Sequence, residues 1–529
     1  MKKAWLLFFV LSLLAGCKNE KAPVSQDLRI ASPYELASAD PQKTCRGSDH
    51  KILQAAFEGL IVPDPETMQP LPGVAERWTV SPDGKVYEFF LRDDAKWSDG
   101  TPVTAEDFVF SAKRALSSRL ICASVDMFFN LKNAKAFFSR TIRDFSRVGI
   151  HAINSRMLRI ELEQCTPYFF EILMHPCWFP LNQKVIDSFE EYDKGHYPHD
   201  VFRTKIISNG PFLFSERIPS KCILFRKNES YWDAENVLLQ KVVFLFFINQ
   251  TSSIKSFTED EVHIVEIFDD KKIEGMCSKG ESAFGISFEC VGLMFNTENP
   301  VFKNKDVRTA LSIAIDREKL LDTIEKHRIL AAYRFIPPLN DKYSGSLFCQ
   351  DVELAKKLLE KAGYGPENKF PEISILFNVM EHPIFLVCME QICEDLKTSL
   401  GITCRIDPQN MEVFLDRKKK AKFDMIKFSY GGIYCDPILA MNPFTSHSAR
   451  NYGRWHDKNY DKIVASIPQA DDILVRNRLI HDAESYLVEE MPIIPLFFNS
   501  NSYLIKKNVS GWFPNAANSH PVKFVYFEK

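Results

Sequence analysis

A β-hairpin signal within residues 57–116 limits the fold more tightly than any other feature of the chain. The runs 78–80 and 86–91 are rich in β-branched and aromatic residues, and the tripeptide Pro-Asp-Gly lies between them at 82–84. Asp-Gly between two apolar runs favours a tight turn, because glycine readily adopts the left-handed conformation that such turns need. The sequence therefore predicts two antiparallel strands joined at residues 82–84.

A helix is predicted to follow this hairpin, beginning at Thr104. The threonine hydroxyl can cap the free amides of the first turn, and Asp107, three residues later, can reach back in a capping box. One apolar face repeats at helical spacing and comprises Ala105, Phe108, Val109, Ala112 and Leu116. The segment contains no catalytic constellation, so it predicts a folded scaffold.

Strands and helices alternate along the rest of the chain, which predicts α/β lobes. The apolar runs 373–378 and 493–498 predict strands. Asp306 is the predicted cap of a helix over 307–315, and residues 478–488 predict a further helix.

Composition excludes several classes of function. With 529 residues, of which 45% are hydrophobic and 26% charged, the chain can build a large soluble core over two to four domains. A net charge of −3 means that the chain as a whole has no positive electrostatic field that would attract nucleic acid. The sequence contains no H-E-x-x-H, G-x-S-x-G or P-loop motif, so we predict no enzyme, no catalytic residue, no metal site and no cofactor.

The N-terminus predicts export and a lipid anchor. Lys2 and Lys3 precede an apolar run over 4–14, which is shorter than the roughly 20 residues that a membrane-spanning helix needs. The sequence Leu-Ala-Gly-Cys at 14–17 resembles a bacterial lipobox. Residues 1–17 are therefore expected to form a lipoprotein signal peptide, with the acyl (palmitate) anchor on Cys17. The sequence leaves open whether the inner or the outer membrane holds the anchor.

Three sequence blocks carry a family resemblance: FEGL at 57–60, PGVAERW at 72–78 and LRDDAKWSDGTPVTAEDFVFSAKRAL at 91–116. They are similar to the periplasmic oligopeptide-binding proteins of solute-binding protein family 5, the receptors of ABC peptide importers. Weaker similarity continues to the C-terminus, for example SNGPF at 208–212.

The resemblance implies an α/β, two-lobed periplasmic-binding-protein fold of class II type, with an inserted third domain and a hinge. Lobe I is then expected over 18–57, about 200–288 and about 505–529, the inserted domain II over 58–199, and lobe III over 289–504. Such a receptor is expected to be a monomer on the periplasmic side of the cell envelope. It would close around an oligopeptide and deliver it to the permease subunits of the transporter.

Other functions on the same fold stay open from the sequence. The ligand could be a murein peptide, glutathione, a nickel chelate or haem. A function of a different class is that of an exported adhesin or chaperone. The preferred peptide length and the cognate permease cannot be read from the residues.

The segment FDMIKFSYGGIYCDP at 423–437 predicts a strand, a glycine-rich bend and a turn. Glycine lets a ligand backbone approach closely. The resemblance implies that this segment binds the peptide as an added strand. It places Lys427 near the ligand carboxylate and Tyr430 on the wall of the cleft, with Ser429 and Gly431 beside them.

Two further places are candidate contacts by the same resemblance. The residues that follow Asp-Pro at 40–41 match a ligand-contacting loop of the family, which assigns that role to Cys45, Arg46 and Gly47. His382 lies near another contact position.

Ile433 departs from the family pattern, because oligopeptide receptors usually have there an aspartate that pairs with the α-ammonium of the ligand. Removing one member of a buried ion pair costs about 3–5 kcal/mol. Three outcomes remain: another acid such as Asp436 or Asp424 reaches the amine, the ligand sits in a shifted pose, or it has no free α-amine there. We favour a changed ligand or pose.

Cysteines beyond Cys17 are expected to be mostly small buried apolar residues. Their connectivity cannot be read from the sequence. The resemblance implies one candidate bridge, between Cys290 and Cys435.

Overall fold

The computed structural model describes residues 27–44, 46–117, 122, 124–192, 206–267, 281–323, 329–338, 347–381, 383–431, 435–470 and 472–528. Four of the candidate binding and lipidation residues lie outside these ranges, namely Cys17, Cys45, His382 and Ile433, as do Lys2 and Lys3.

The strands within the described residues are β1 (Asp27–Ser32), β2 (Ile61–Pro63), β3 (Pro70–Pro72), β4 (Ala75–Val80), β5 (Val86–Leu91), β6 (Ile150–Asn154), β7 (Met157–Glu161), β8 (Phe212–Ile218), β9 (Cys222–Lys227), β10 (Lys241–Phe246), β11 (Ile264–Ile267), β12 (Ser282–Phe295), β13 (Leu330–Ala331), β14 (Ile373–Asn378), β15 (Cys404–Gln409), β16 (Met425–Gly431), β17 (Ile493–Ile505), β18 (Val509–Ser510) and β19 (Tyr526–Phe527).

The α-helices within the same residues are α1 (Gly47–Ala56), α2 (Ala105–Ala115), α3 (Ala134–Phe138), α4 (Phe169–Leu173), α5 (Gln183–Tyr192), α6 (Gln250–Thr258), α7 (Pro300–Lys303), α8 (Lys305–Ile313), α9 (Arg317–Thr323), α10 (Val352–Lys361), α11 (Pro383–Leu400), α12 (Met411–Lys419), α13 (Ile438–Met441), α14 (Lys458–Ser466) and α15 (Ile473–Glu490).

One mixed sheet runs through most of the molecule, in the order β15-β14-β16-β12-β17-β11-β1-β10-β9-β8, with β13 beside β17. Parallel pairs, such as β1 with β10 and β14 with β15, lie toward its two ends. The strands β12, β16 and β17 are antiparallel in its middle. The mixed α/β architecture agrees with the fold class that the sequence predicts.

The long strands β12 and β17 join the two halves of this sheet. Residues 282–286 of β12 pair with 500–504 of β17, next to β11. After a break in register, residues 290–294 pair with 493–498, next to β16. The ladder is therefore interrupted at the point where the chain passes from one half to the other.

A separate sheet, β4-β5-β7-β6, lies within the range expected for the inserted domain. The predicted hairpin is confirmed: β4 and β5 are antiparallel, and Gly84 between them has φ +66°. The predicted capping box of α2 is also confirmed, with the Thr104 amide 2.8 Å from Asp107 Oδ2. The helix α2 packs against β6 and β7.

Several boundaries differ from the sequence prediction. The helix expected from Asp306 begins at Lys305, because Asn304 caps it by accepting the amide of Asp306 at 2.9 Å. The helix expected over 478–488 is the longer α15, which Asp472 caps. The strand expected over 493–498 continues to Ile505, because it crosses both halves of the sheet.

The Cys290–Cys435 bridge is not present, since both thiols are free. Cys290 is buried in β12 opposite Tyr430, five positions before Cys435. The backbone amide of Cys435 instead donates to Glu171. The hypothesis of this bridge is therefore wrong for the structure described.

Candidate functional site

A cavity of about 800 Å³ lies where the chain segments described above meet. Its wall includes one face of α1, Glu171 of α4 with the residues 174–176 that follow this helix, the interrupted part of β12 over 285–289, the end of β16 and the loop 514–519. The volume falls within the range of about 300–1,000 Å³ that ligand pockets occupy. Because the interrupted ladder of β12 forms part of the wall, a hinge motion there would change the cavity.

The strand β16 reaches the cavity with one edge open. On one side, its residues 425–431 pair with β12 along their whole length. On the other side, β14 pairs with β16 only at Met425 and Ile426 among the described residues. The second edge from Lys427 to Gly431 therefore has no strand partner in the part of the chain that the structure describes. Such an edge presents backbone donors and acceptors that an extended segment can use.

Gly431 ends this strand at the cavity wall, with φ +116°. A Cβ atom added there would lie 2.1 Å from the carbonyl oxygen of Phe288. Only glycine fits this close approach to β12. Ser429, two residues earlier, also lines the cavity, and its carbonyl accepts from Arg450 Nη2 at 3.3 Å.

Tyr430 lies on the wall with its side chain 1% exposed. Its ring contacts those of Phe335 and Phe444, with centroids 6.2 and 5.4 Å away. Burial raises the pKa of the phenol well above its ordinary value, with a further contribution from Cys290. At neutral pH Tyr430 is thus an uncharged, rigid part of the wall.

Of the predicted loop at 45–47, the structure places Gly47 on the cavity wall, at the start of α1. Arg46 is held elsewhere: its Nε lies 3.0 Å from Asp49 Oδ2, and its Nη2 donates to the carbonyl of Glu35 at 2.9 Å. Arg46 does not belong to the wall of this cavity.

Lys427 is likewise engaged away from the cavity. Its Nζ lies 2.8 Å from Glu381 Oε2 and 4.0 Å from the ring centroid of Phe385. Its charge is therefore already compensated in this structure, which sequence reasoning could not see because Glu381 belongs to a distant segment.

The two acids considered as substitutes for the missing aspartate both have partners. Both carboxylate oxygens of Asp436 lie 2.7 Å from Arg476 Nη2, and the side chains are nearly buried. Burial raises the pKa of Asp436, and Arg476 opposes that rise. Asp424 accepts the amide and hydroxyl of Ser374 at 3.0 and 2.8 Å, and it is not part of the cavity wall.

Sequence reasoning missed Glu171, which lines the cavity from α4. Its Oε2 accepts the amide of Cys435 at 2.9 Å, a contact between residues 264 positions apart. Burial, and next the charge of Asp436, raise the pKa of Glu171 to about 7. No local motif marks this glutamate, because its surroundings exist only in the folded chain.

Basic groups also line the cavity. Lys51 Nζ is paired with Glu266 Oε2 at 2.9 Å and bound to the hydroxyl of Tyr503 at 2.7 Å. His50 and His175 stack edge to face, with ring centroids 4.5 Å apart. Burial lowers the pKa of both imidazoles, so they are neutral at pH 7.

Over the described ranges, no group of three or more His, Cys, Asp and Glu side chains could hold a metal ion. Within those same ranges, no helix has both the length and the apolar character needed to cross a membrane.

Comparison with known proteins agrees with this architecture. The family model "bacterial extracellular solute-binding proteins, family 5 Middle" matches residues 69–452. The periplasmic murein peptide-binding protein MppA of Escherichia coli is 29% identical over 494 residues, covering 90% of this chain and 88% of that protein. The dipeptide-binding protein DppE of Bacillus subtilis is 28% identical over 553 residues, covering 99% and 98%.

The fold is similar to solved structures as well. The structure of the E. coli murein tripeptide-binding protein MppA superimposes with a TM-score of 0.79 at 27% identity, covering 96% of this chain and 99% of that chain. The likeness extends over nearly the whole length of both proteins.

Proposed function

Because this chain belongs to the bacterial extracellular solute-binding proteins of family 5, we propose that it is the peptide-capturing receptor of an ABC importer. The observation that carries the proposal is the open edge of β16 on the wall of the cavity. A peptide that pairs with this edge gains main-chain hydrogen bonds whatever its sequence, and the cavity accepts its side chains. The function is one of binding and delivery, with no catalytic step.

The proposed mechanism is closure about β12 and β17. Both strands pass between the halves of the large sheet, and the register break in β12 forms part of the cavity wall. A ligand that contacts both halves favours the closed state, because only that state offers both sets of contacts. In this proposal lobe I and lobe III carry the two halves of the sheet, and residues 58–199 form the inserted domain.

A second ligand class within the same mechanism is a murein-derived peptide. One relative, at 29% identity, is a murein peptide-binding protein. The export signal that the sequence predicts at 1–17 agrees with placement on the periplasmic side of the envelope, and we propose the lipid on Cys17 as the anchor.

The test is a thermal-shift measurement with pools of tripeptides to pentapeptides and with matched pools that are N-methylated along the backbone. A ligand present at a hundred times its Kd stabilises the folded state by about 2.7 kcal/mol. We expect the unmethylated pools to raise Tm and the N-methylated pools to raise it much less, because methylation removes amide donors. Equal shifts in Tm with both kinds of pool would refute binding by strand addition. The absence of a shift in Tm with every pool would refute the proposal that the protein binds peptides.

A further inference from the structure

The carboxylate of Glu171 lies in the cavity without a basic partner. Among the described residues, no Lys, Arg or His nitrogen is paired with it within 4 Å, and its one hydrogen bond comes from the Cys435 amide at 2.9 Å. The neighbouring residues of α4, Phe169, Ile172 and Leu173, are buried in the core. The helix therefore holds Glu171 at the wall.

The charged groups that act on Glu171 make this position attractive to a cation. Asp436 adds a second negative charge beside Glu171. Arg476 Nη2 donates at 2.7 Å to both carboxylate oxygens of Asp436. Together with the Cys435 amide, these are the groups that influence the titration of Glu171. Burying a carboxylate is costly unless a cation or several donors compensate it.

An occupant of the cavity can supply the missing charge. Since the protein itself offers Glu171 one backbone donor, the empty site tends to keep a proton, and burial raises the pKa of Glu171 to about 7. A primary ammonium at the carboxylate removes the need for that proton. Binding of the cation and loss of the proton are then coupled.

We propose that Glu171 receives an ammonium group of the bound peptide. This inference rests on the proposed peptide-binding function. The ammonium can be the α-amine of the peptide or the side-chain amine of a lysine-like residue, because both present the same charge and donors.

Calorimetry with three probes distinguishes these sources. Trialanine carries only an α-ammonium, N-acetyl-Ala-Lys-Ala carries only a side-chain ammonium, and N-acetyl-trialanine carries neither. Titrations at pH 6 and pH 8 in buffers of different ionisation enthalpy count the protons released. The proteins are wild type, Glu171→Gln and the control Glu163→Gln, which removes a carboxylate outside the cavity wall.

For a group with a pKa of about 7, we expect release of about 0.9 proton at pH 6 when the favoured ammonium binds. At pH 8 we expect release of about 0.1 proton with the lysine probe, but a net uptake of about 0.4 proton with trialanine, because its α-amine has a pKa of about 8 and is half neutral before binding. Glutamine keeps an acceptor for the Cys435 amide, so Glu171→Gln should fold and retain the cavity. It should abolish the proton release and weaken binding of that probe about 30-fold, the effect of removing one partner of a buried pair. Glu163→Gln should behave like wild type.

The outcomes separate the role of Glu171 from the proposed peptide-binding function. Equal affinity of wild type for all three probes, or proton release that persists in Glu171→Gln, would overturn the role of Glu171 alone. An equal loss of affinity for every probe in Glu171→Gln would show that Glu171 only holds the wall through Cys435. Failure of wild type to bind any of the three probes, together with no shift in Tm by the peptide pools, would refute the peptide receptor, and the role of Glu171 with it.

Discussion

The pair Asp436–Arg476 offers a quantitative test of the cavity wall. Arg476 lies on α15, and its Nη2 contacts both oxygens of Asp436 at 2.7 Å. Arg476→Met keeps most of the aliphatic stem but leaves Asp436 buried without its cation. Breaking a buried pair in this way costs about 3–5 kcal/mol.

Protonation of Asp436 sets a limit on that cost. From an ordinary pKa of 3.8, placing a proton on an aspartate at pH 7 requires about 4.4 kcal/mol, and at pH 5 about 1.6 kcal/mol. Arg476 opposes the rise in the pKa of Asp436 that burial causes, so without Arg476 the folded-state pKa of Asp436 is higher than in wild type, and the variant gains stability relative to wild type as pH falls. We expect a loss of about 4 kcal/mol at pH 7 that shrinks to about 2 kcal/mol at pH 5.

The assay is urea unfolding followed by tryptophan fluorescence, with Arg478→Met as control. Arg478 lies on the same helix and is exposed, so its replacement should change the free energy of unfolding by less than about 0.5 kcal/mol. Adding Asp436→Asn to Arg476→Met should recover part of the loss, because no charge then remains buried. A loss below about 1 kcal/mol at pH 7, or one that does not depend on pH, would refute the reasoning.

Three further outcomes follow from the structure and the sequence. Gly431→Ala should cost about 1–3 kcal/mol of stability in thermal unfolding and weaken peptide binding, because its Cβ would collide with the carbonyl of Phe288; wild-type behaviour would show that the strand can move away. Cys17→Ala should remove the protein from the detergent phase in phase-partition experiments, and unchanged partitioning would contradict the lipid anchor. Non-reducing peptide mapping should find no bridge between Cys290 and Cys435, whereas a linked peptide would show that the exported protein adopts a different arrangement.

Local signals predicted the regular elements well. The strand β14 coincides with the predicted run 373–378, and β5 coincides with the predicted run after the Asp-Gly turn. The capping box at Thr104 also formed as expected. These features depend on residues a few positions apart, so the sequence contains all the information they need.

Features that depend on distant partners were not predictable in the same way. The extent of β17 follows from its pairing with β12 and β11, and no local pattern shows that one strand serves both halves of the sheet. Lys427 is a cation in the sequence, but Glu381 compensates it in the fold. Glu171 became a candidate only because folding brings it to Cys435 and Asp436.

The site predicted by resemblance is partly assembled in the structure. Gly47, Ser429, Tyr430 and Gly431 meet at one cavity, whereas Arg46 and Lys427 have partners outside it. Whether the four wall residues contact a ligand remains a prediction. The same is true of the roles given to Cys45, His382 and Ile433, which lie outside the described residues.

Mass spectrometry of the ligand that co-purifies with the native protein tests the central claim most directly. The protein is isolated without denaturant, washed, and then denatured to release what the cavity holds. The account predicts short peptides, identified by fragment series from the peptide backbone, with murein-derived peptides as a recognisable subset. Release of a metal chelate, haem or another non-peptide solute in stoichiometric amount would contradict it.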